Sequence, residues 1–319
     1  MIKIISISKS GNSGQPLSAQ LLNADLQSFG VSVRHANIAD RNAGTFGRLM
    51  VFKRLLRFIK KSPRNFYLVH LNIETLFLQM FKWRNVIFIN HGVYDFANKK
   101  SLFRLINIAV LYWSSKIMGN RVYFVNKDQA KIAGSNFVLP NRINTIGLSK
   151  KFRTIDDAFP LRHIGFVGRN DMQKNLGVLQ QLIVNSPNFQ FHHLGPKPIL
   201  EFCNLSNYQH MPSEKRSKFF ATIDLLLMPS RYESFGLVAY EANYCNIPVI
   251  HSGQDGLKDV KFGYNLRSAN GDVWTCLNLA ELTPAQFPAS DDRSLQNARL
   301  SAIQEIVSVV KNFDNHASL

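Results

Sequence analysis

In the C-terminal half of the chain, charged residues stand just beyond short apolar runs, where a bound ligand could meet them. The first set is Gly168-Arg169-Asn-Asp-Met-Gln-Lys174-Asn175, which follows the apolar run 164–167. A guanidinium offers phosphate oxygens a planar fork, and an ammonium a mobile point charge. A helix expected from Lys174 adds free N–H groups and the positive end of its dipole. Together they suit a diphosphate without a metal ion, although an ordinary turn with two surface cations has the same composition.

The second set is Pro229-Ser-Arg-Tyr-Glu233-Ser234-Phe235-Gly236-Leu237-Val238-Ala-Tyr-Glu241, after the apolar run 225–228. Glu233 falls in a loop, and Glu241 lies about two turns into the helix that begins near Phe235. The backbone N–H groups of that first turn have no partner within the helix. One carboxylate can accept hydrogen bonds from sugar hydroxyls, and a deeper one can hold a ribose diol. The plainer alternative is an acidic helix start favoured by the dipole, with one solvated glutamate. It leaves Gly236 and the small residues beside Glu241 unexplained.

A third junction is Asn90-His91-Gly92, after the apolar run 86–89. A lone histidine there is either a structural hydrogen-bonding group or a ligand contact, and its place after a strand and beside a glycine favours the second. A fourth is the loop Ser10-Gly11-Asn12-Ser13-Gly14 after the first strand, a weak signal alone.

The stretches GRNDMQKN and PSRYESFGLVAYEANYCNIPVI resemble the C-terminal domain of retaining GT-B glycosyltransferases, the large glycosyltransferase family 4 (glycosyl transferases group 1). The resemblance covers about residues 160–265. It rests on a Gly-Arg-x4-Lys clamp and a Glu-x7-Glu pair in a Glu-x-Phe-Gly context. It implies that Arg169 and Lys174 bind the donor diphosphate and that Glu233 contacts the donor sugar at the reacting centre. Ser234, Phe235, Gly236, Leu237 and Val238 would present backbone groups to sugar and phosphate. Glu241 would take the nucleotide ribose, Gly195 would lie near the base, His91 would touch the donor sugar, and Gly14 would let backbone approach the donor phosphate. UDP-sugars rank ahead of GDP-sugars as donor, and retention of configuration is itself implied by the resemblance. Departing diphosphate gains negative charge, which a preorganised cationic clamp stabilises. The chain has no Asp-x-Asp motif, so neither metal nor other cofactor is expected. The sequence departs from the family at Asn243, Tyr244 and Asn246. Asn246 tolerates positive φ. The loop Ser252-Gly253-Gln-Asp-Gly256 is also altered.

These residues need strands and helices to place them. Apolar runs at 2–7, 66–71, 86–90 and 121–125 alternate with helical patterns, and so do those at 164–167, 190–194, 225–228 and 248–251. Such alternation predicts βαβ units and parallel sheets, with ligands at the carboxyl ends of strands. The expected architecture is α/β, GT-B: two doubly wound Rossmann-like domains facing a cleft. The boundaries are 1–155 on the acceptor side and 156–319 on the donor side. A charged, proline-ended segment at 150–160 would link them as a hinge. The last helical pattern, 293–313, is a candidate for packing back toward the N-terminal domain.

Charge separates the two halves. Residues 1–155 hold 24 Lys+Arg against 5 Asp+Glu, a net +19, whereas residues 156–319 hold 14 against 16, a net −2. The densest region, 46–61, places Lys53, Arg54, Arg57, Lys60 and Lys61 within about 120° of helical arc. Such a helix either lies in an anionic membrane interface, apolar face down, or packs within its domain with a solvated basic face. Residues 102–113 read as a buried helix too short to span a bilayer, with membrane contact as the lesser alternative. Three cysteines without metal-site spacing, and an N-terminus that reads as a strand, point to the cytosol. The expected partners are a nucleotide-sugar donor, a glycolipid or saccharide acceptor, and the inner face of the cytoplasmic membrane. Transfer to nucleic acid and a non-catalytic basic binding protein are the alternatives.

Overall fold

The computed structural model describes residues 3–9, 14–39, 45–70, 78, 83–91, 102–150, 161–169, 171–198, 201–209, 213–266, 274, 277–282, 287 and 293–317. The loop 10–13, Gly92 and positions 151–160 of the expected linker lie outside them. The chain forms two compact units, Met1–Arg142 with Asp292–Leu319, and Ile143–Asp291.

The first unit runs β1 (Lys3–Lys9), α1 (Gly14–Ser28), β2 (Ser32–Ala39), α2 (Thr45–Lys61), β3 (Phe66–Val69), β4 (Val86–Asn90), α3 (Leu102–Met118), β5 (Val122–Phe124) and α4 (Lys127–Ile132). Its strands form one parallel sheet in the order β2-β1-β3-β4-β5. β3 and β4 are apolar at almost every position because both faces of the sheet are covered. On one face Phe66, Leu68, Ile87 and Ile89 pack against Leu22 and Leu26 of α1 and against Ile303, Ile306 and Val310. Those last three belong to the long C-terminal helix α8 (Arg293–Ala317). Its apolar stripe therefore completes the core of the first unit. The sequence places the boundary at 155 and leaves this helix a candidate for packing back toward the N-terminal domain. Composition along a chain cannot show which of two sheets a late helix will cover.

The second unit begins at β6 (His163–Val167) and continues α5 (Leu176–Asn185), β7 (Gln190–Gly195), β8 (Leu205–Gln209), α6 (Ser213–Thr222), β9 (Leu225–Met228), α7 (Leu237–Tyr244), β10 (Val249–His251) and β11 (Tyr264–Asn265). All its pairings are parallel, in the order β11-β10-β9-β6-β7-β8. β6 and β9 lie centrally and adjacent, so the loops that leave their carboxyl ends are neighbours. That adjacency brings the two charged motifs together.

Packing decides how two helices use their faces. On α2 the five cations are exposed while Leu55 and Ile59 are fully buried, so its apolar face serves the unit's own core. The reading of α3 as a buried helix is corrected. Val110, Leu111, Ser114 and Met118 are buried, but Leu105, Ile106, Tyr112, Trp113 and Ile117 are exposed. A helix apolar on all sides does not reveal from its sequence which arc meets the core.

Candidate functional site

The loop after β6 is fastened at the carboxyl edge of the second sheet. The Gly168 N–H donates to the Leu194 carbonyl at 3.0 Å, and the Gly168 carbonyl faces His193 Nε2 at 2.9 Å. A Cβ at Gly195 would lie 2.3 Å from the Gly168 carbonyl oxygen, so only glycine permits the two strand ends to approach this closely. Arg169 is largely exposed, with its guanidinium 3.1 Å from Asp171. Asp171 also caps the following turn by accepting from the Lys174 N–H at 3.1 Å. Asn175 then takes a left-handed conformation at φ 58° and starts α5.

Four hydrogen bonds tie this loop to the one leaving β9. Asn175 Nδ2 donates to the Pro229 carbonyl at 3.1 Å, and its Oδ1 accepts from Arg231 Nε at 3.0 Å. The Arg231 N–H donates to the Gln173 carbonyl at 2.9 Å, and Gln173 Nε2 to the Tyr232 carbonyl at 3.0 Å. The result is a direct ion pair between Lys174 Nζ and Glu233 Oε1, with only 13% and 11% of the two side chains exposed. Ser230 Oγ donates to the same oxygen at 3.0 Å, and Ser252 Oγ fixes the Ser230 carbonyl at 2.6 Å. The Glu233 carbonyl accepts from the Gly256 N–H at 2.7 Å, so the altered loop 252–256 supports the site.

Beyond Glu233, Phe235 is buried and stacks on Tyr240 with centroids 5.1 Å apart. Gly236 precedes α7 at φ 78° and provides no side-chain cap. The first turn of α7, with Leu237 and Val238, thus opens with backbone donors that no residue at the cap position covers. Glu241 lies about one turn into α7, buried, with Oε1 2.5 Å from Arg216 Nη1 on α6. Burial raises the Glu241 carboxyl above its ordinary range, and the Arg216 charge opposes that shift. Arg216 Nη2 is buried without a hydrogen-bond partner. Asn246 has φ 59°, the conformation that the altered turn requires.

The remaining expected residues belong to the first unit. Gly14 is the first residue of α1. His91 follows β4 directly, but its ring turns inward, with Nε2 2.8 Å from Nδ1 of the fully buried His70. Burial and the Arg299 charge press the His91 imidazole down to about 4, and His70 is held well below its usual value by burial and by His91. Near neutral pH both rings are uncharged, and one proton lies between the paired nitrogens. Arg299 reaches this unit from α8 through an ion pair with Asp25 at 2.6 Å.

Within the second unit, then, the fold joins Lys174 to Glu233 and Gly195 to the Gly168 backbone, and it sets Arg169 on the rim of the same loop. Sequence reasoning missed Ser230, Gln173 and Asn175, although all three lie inside the motifs it quoted. It also missed His70 and Arg216. Arg216 sits in an ordinary charged helix start, where nothing local distinguishes it from Lys215 or Lys218.

Residues 163–261, which carry Arg169, Lys174, Gly195, Glu233 and Glu241, match the family "Glycosyl transferases group 1". That match lies within the second unit, and the two parallel-sheet units have the GT-B fold. An uncharacterised 41.2 kDa protein of the cps region of Klebsiella pneumoniae is 35% identical over 105 residues, 31% of this chain and 29% of that protein. Starch synthase 1 of Triticum aestivum is 33% identical over 134 residues, 38% of this chain and 21% of its own length. The chain thus matches less than a third of either relative. Among solved structures, WaaG, a glycosyltransferase involved in lipopolysaccharide biosynthesis, superposes with a TM-score of 0.57 at 14% identity, covering 99% of this chain and 95% of WaaG.

Proposed function

We propose that the chain is a retaining glycosyltransferase of the family 4 type. It would move a hexosyl group from a nucleotide-diphosphate sugar to a glycolipid or saccharide acceptor in surface-polysaccharide assembly. The observation that carries this reading is the buried Lys174–Glu233 pair, held by two loops that the sheet itself makes adjacent. A diphosphate arriving at Arg169 and Lys174 competes with Glu233 for the lysine. Lys174 then neutralises the leaving phosphate, and Glu233 is released to accept hydrogen bonds from the donor sugar. Backbone groups from Ser234 to Val238 lie beside that place, and Glu241, oriented by Arg216, takes the ribose. The cations of the reaction are those of the chain, and no metal is needed by this scheme.

The acceptor falls to the first unit, whose 24 Lys+Arg against 8 Asp+Glu give a net +16. Such a charge favours an anionic membrane surface and its phosphorylated glycolipids. The cations of α2 (Lys53, Arg54, Arg57, Lys60 and Lys61) would face that surface from the cytoplasmic side. Among the described residues, no helix is long and apolar enough to cross a membrane. The likeness to a cps-region protein supports a capsule-type acceptor.

A thermal-shift panel of UDP-, GDP- and ADP-sugars tests the donor, since a bound ligand raises the melting temperature by mass action. The largest shift is expected from a UDP-sugar. A preference for ADP-glucose would move the acceptor toward a glucan. Transfer that survives Arg169→Ala and Glu233→Ala combined would remove this site from the reaction.

A further inference from the structure

Helix α3 exposes an apolar stripe that nothing in the donor chemistry uses. Leu105 is 63% exposed and Trp113 56%, and Ile106, Tyr112 and Ile117 are exposed beside them. With Lys116 they span about 140° of helical arc. The buried arc of the same helix, from Val110 to Met118, is separate, so the stripe is a second apolar face. Tyr112 meets Trp113 edge-on at 6.0 Å, and the Lys116 ammonium lies 5.5 Å from the Tyr112 ring centre.

The topology places α3 on the same side of the sheet as the cations of α2. In the order β2-β1-β3-β4-β5, the connections β2 to β3 and β4 to β5 run the same way across the sheet. Right-handed crossovers put both connecting helices, α2 and α3, on one side, opposite α1. The strands agree for α2. Tyr67 packs against Phe58 of α2, while its neighbours Phe66 and Leu68 point to α1 and α8. The apolar residues Leu55 and Ile59 of α2 are used up inside the unit, so α2 offers that side positive charge together with half-exposed Phe58.

We infer that α3 is the element this protein inserts into the headgroup layer of an anionic bilayer, with α2 providing the electrostatic attraction alongside it. A stripe of leucine, isoleucine, tryptophan and tyrosine with a flanking lysine fits that layer. The rings span its apolar and wet sides, and the lysine stem snorkels to the phosphates. A second copy of the chain is the competing occupant, and charge disfavours it, because pairing through this face would oppose two units of net +16. The inference rests on reading the first unit as the acceptor side.

The test is cosedimentation with phosphatidylcholine vesicles made with and without phosphatidylglycerol, together with tryptophan emission. The wild type is expected to bind the anionic vesicles with a blue shift that Trp113→Phe removes. Leu105→Ser, Trp113→Ser and Ile117→Ser combined should weaken that binding by roughly tenfold or more. Lys53→Glu, Arg54→Glu and Arg57→Glu combined should remove its salt-sensitive part. Three results overturn the inference: vesicle binding unchanged in the serine variant, a wild-type dimer that the serine variant turns into a monomer, or duplex DNA bound more tightly than vesicles at equal salt. The nucleotide-sugar thermal shift, read on both proteins, keeps the two proposals apart. Its absence from the wild type counts against the donor reading alone, and its persistence in the serine variant shows that the variant is folded.

Discussion

Glu233 shares one carboxylate oxygen between the Lys174 ammonium and the Ser230 hydroxyl, and both charged side chains are largely buried. Replacing it by glutamine removes the anion that competes with a diphosphate while keeping the side chain's shape. Glu233→Gln is therefore expected to bind a nucleoside diphosphate more tightly, by roughly threefold or more. It should also transfer sugar roughly a hundredfold more slowly. Calorimetry and turnover on one preparation check both halves, and weaker diphosphate binding would contradict the competition. Glu241 and Arg216 form the second pair. Removing the arginine leaves a buried carboxylate without its counter-charge, at an expected cost of roughly 3–5 kcal/mol. Because Glu241 is already raised by burial, Arg216→Ala should lose further stability as pH rises from the ordinary glutamate range toward neutrality. Glu241→Gln added to it should recover much of the loss. Denaturant melts of the wild type and these two variants at pH 5 and pH 7 decide the matter. The sequence marks Glu233 and Glu241 through their spacing. It does not mark Arg216, because a partner 25 positions away becomes a neighbour only when α6 and α7 pack.

At the scale of elements, the site depends on how closely strand ends approach. The Gly195 Cα faces the Gly168 carbonyl at a distance that leaves no room for a methyl group, and the His193 ring closes the other side. Gly195→Ala is expected to destabilise the second unit by roughly 1–3 kcal/mol. It should also weaken the nucleotide-sugar thermal shift, because the backbone of the Arg169 loop must move. A normal shift at a normal melting temperature would show that the loop does not depend on this contact. The strands that frame the site were legible as apolar runs because both faces of β6 and β9 are covered. β2 and β8 were not. They are edge strands whose sequences, SVRHANIA and LSNYQ, mix polar with apolar residues, so no apolar run marks them. Helices α2 and α3 show the complementary limit. The basic stripe of α2 and the apolar length of α3 are plain in the sequence, but only packing decides which side meets solvent.

Over the whole molecule, burial holds several histidines neutral. His91 in the first unit and His192 and His251 in the second are each pressed down to about 4, in every case chiefly by desolvation. Unfolded histidines titrate near 6.5, so the stability they confer is complete above that pH. It is lost as pH falls from 6.5 toward 4 and the unfolded chain takes up protons first. The melting temperature is expected to fall steadily across this window, and His91→Asn should flatten part of the slope. A flat profile between pH 6.5 and 4 would mean that these rings are not held neutral. The charge is also a property of the whole. Its +17 divides into +16 on one unit and +1 on the other, where 14 Lys+Arg nearly balance 13 Asp+Glu.

The sequence by itself determined the α/β architecture, because alternating apolar runs and helical periods admit few other arrangements. It also marked Arg169, Lys174, Glu233 and Glu241, whose spacing is local and survives in one dimension. Only the tertiary structure decided that Lys174 and Glu233 meet, that Arg216 holds Glu241 and that His70 pairs with His91. It also decided that α8 returns to the first sheet and that α3 keeps an apolar face in solvent. Each of these contacts joins residues far apart in the chain or depends on which arc of a helix is covered. Such facts arise when surfaces are buried together, and no local pattern records them.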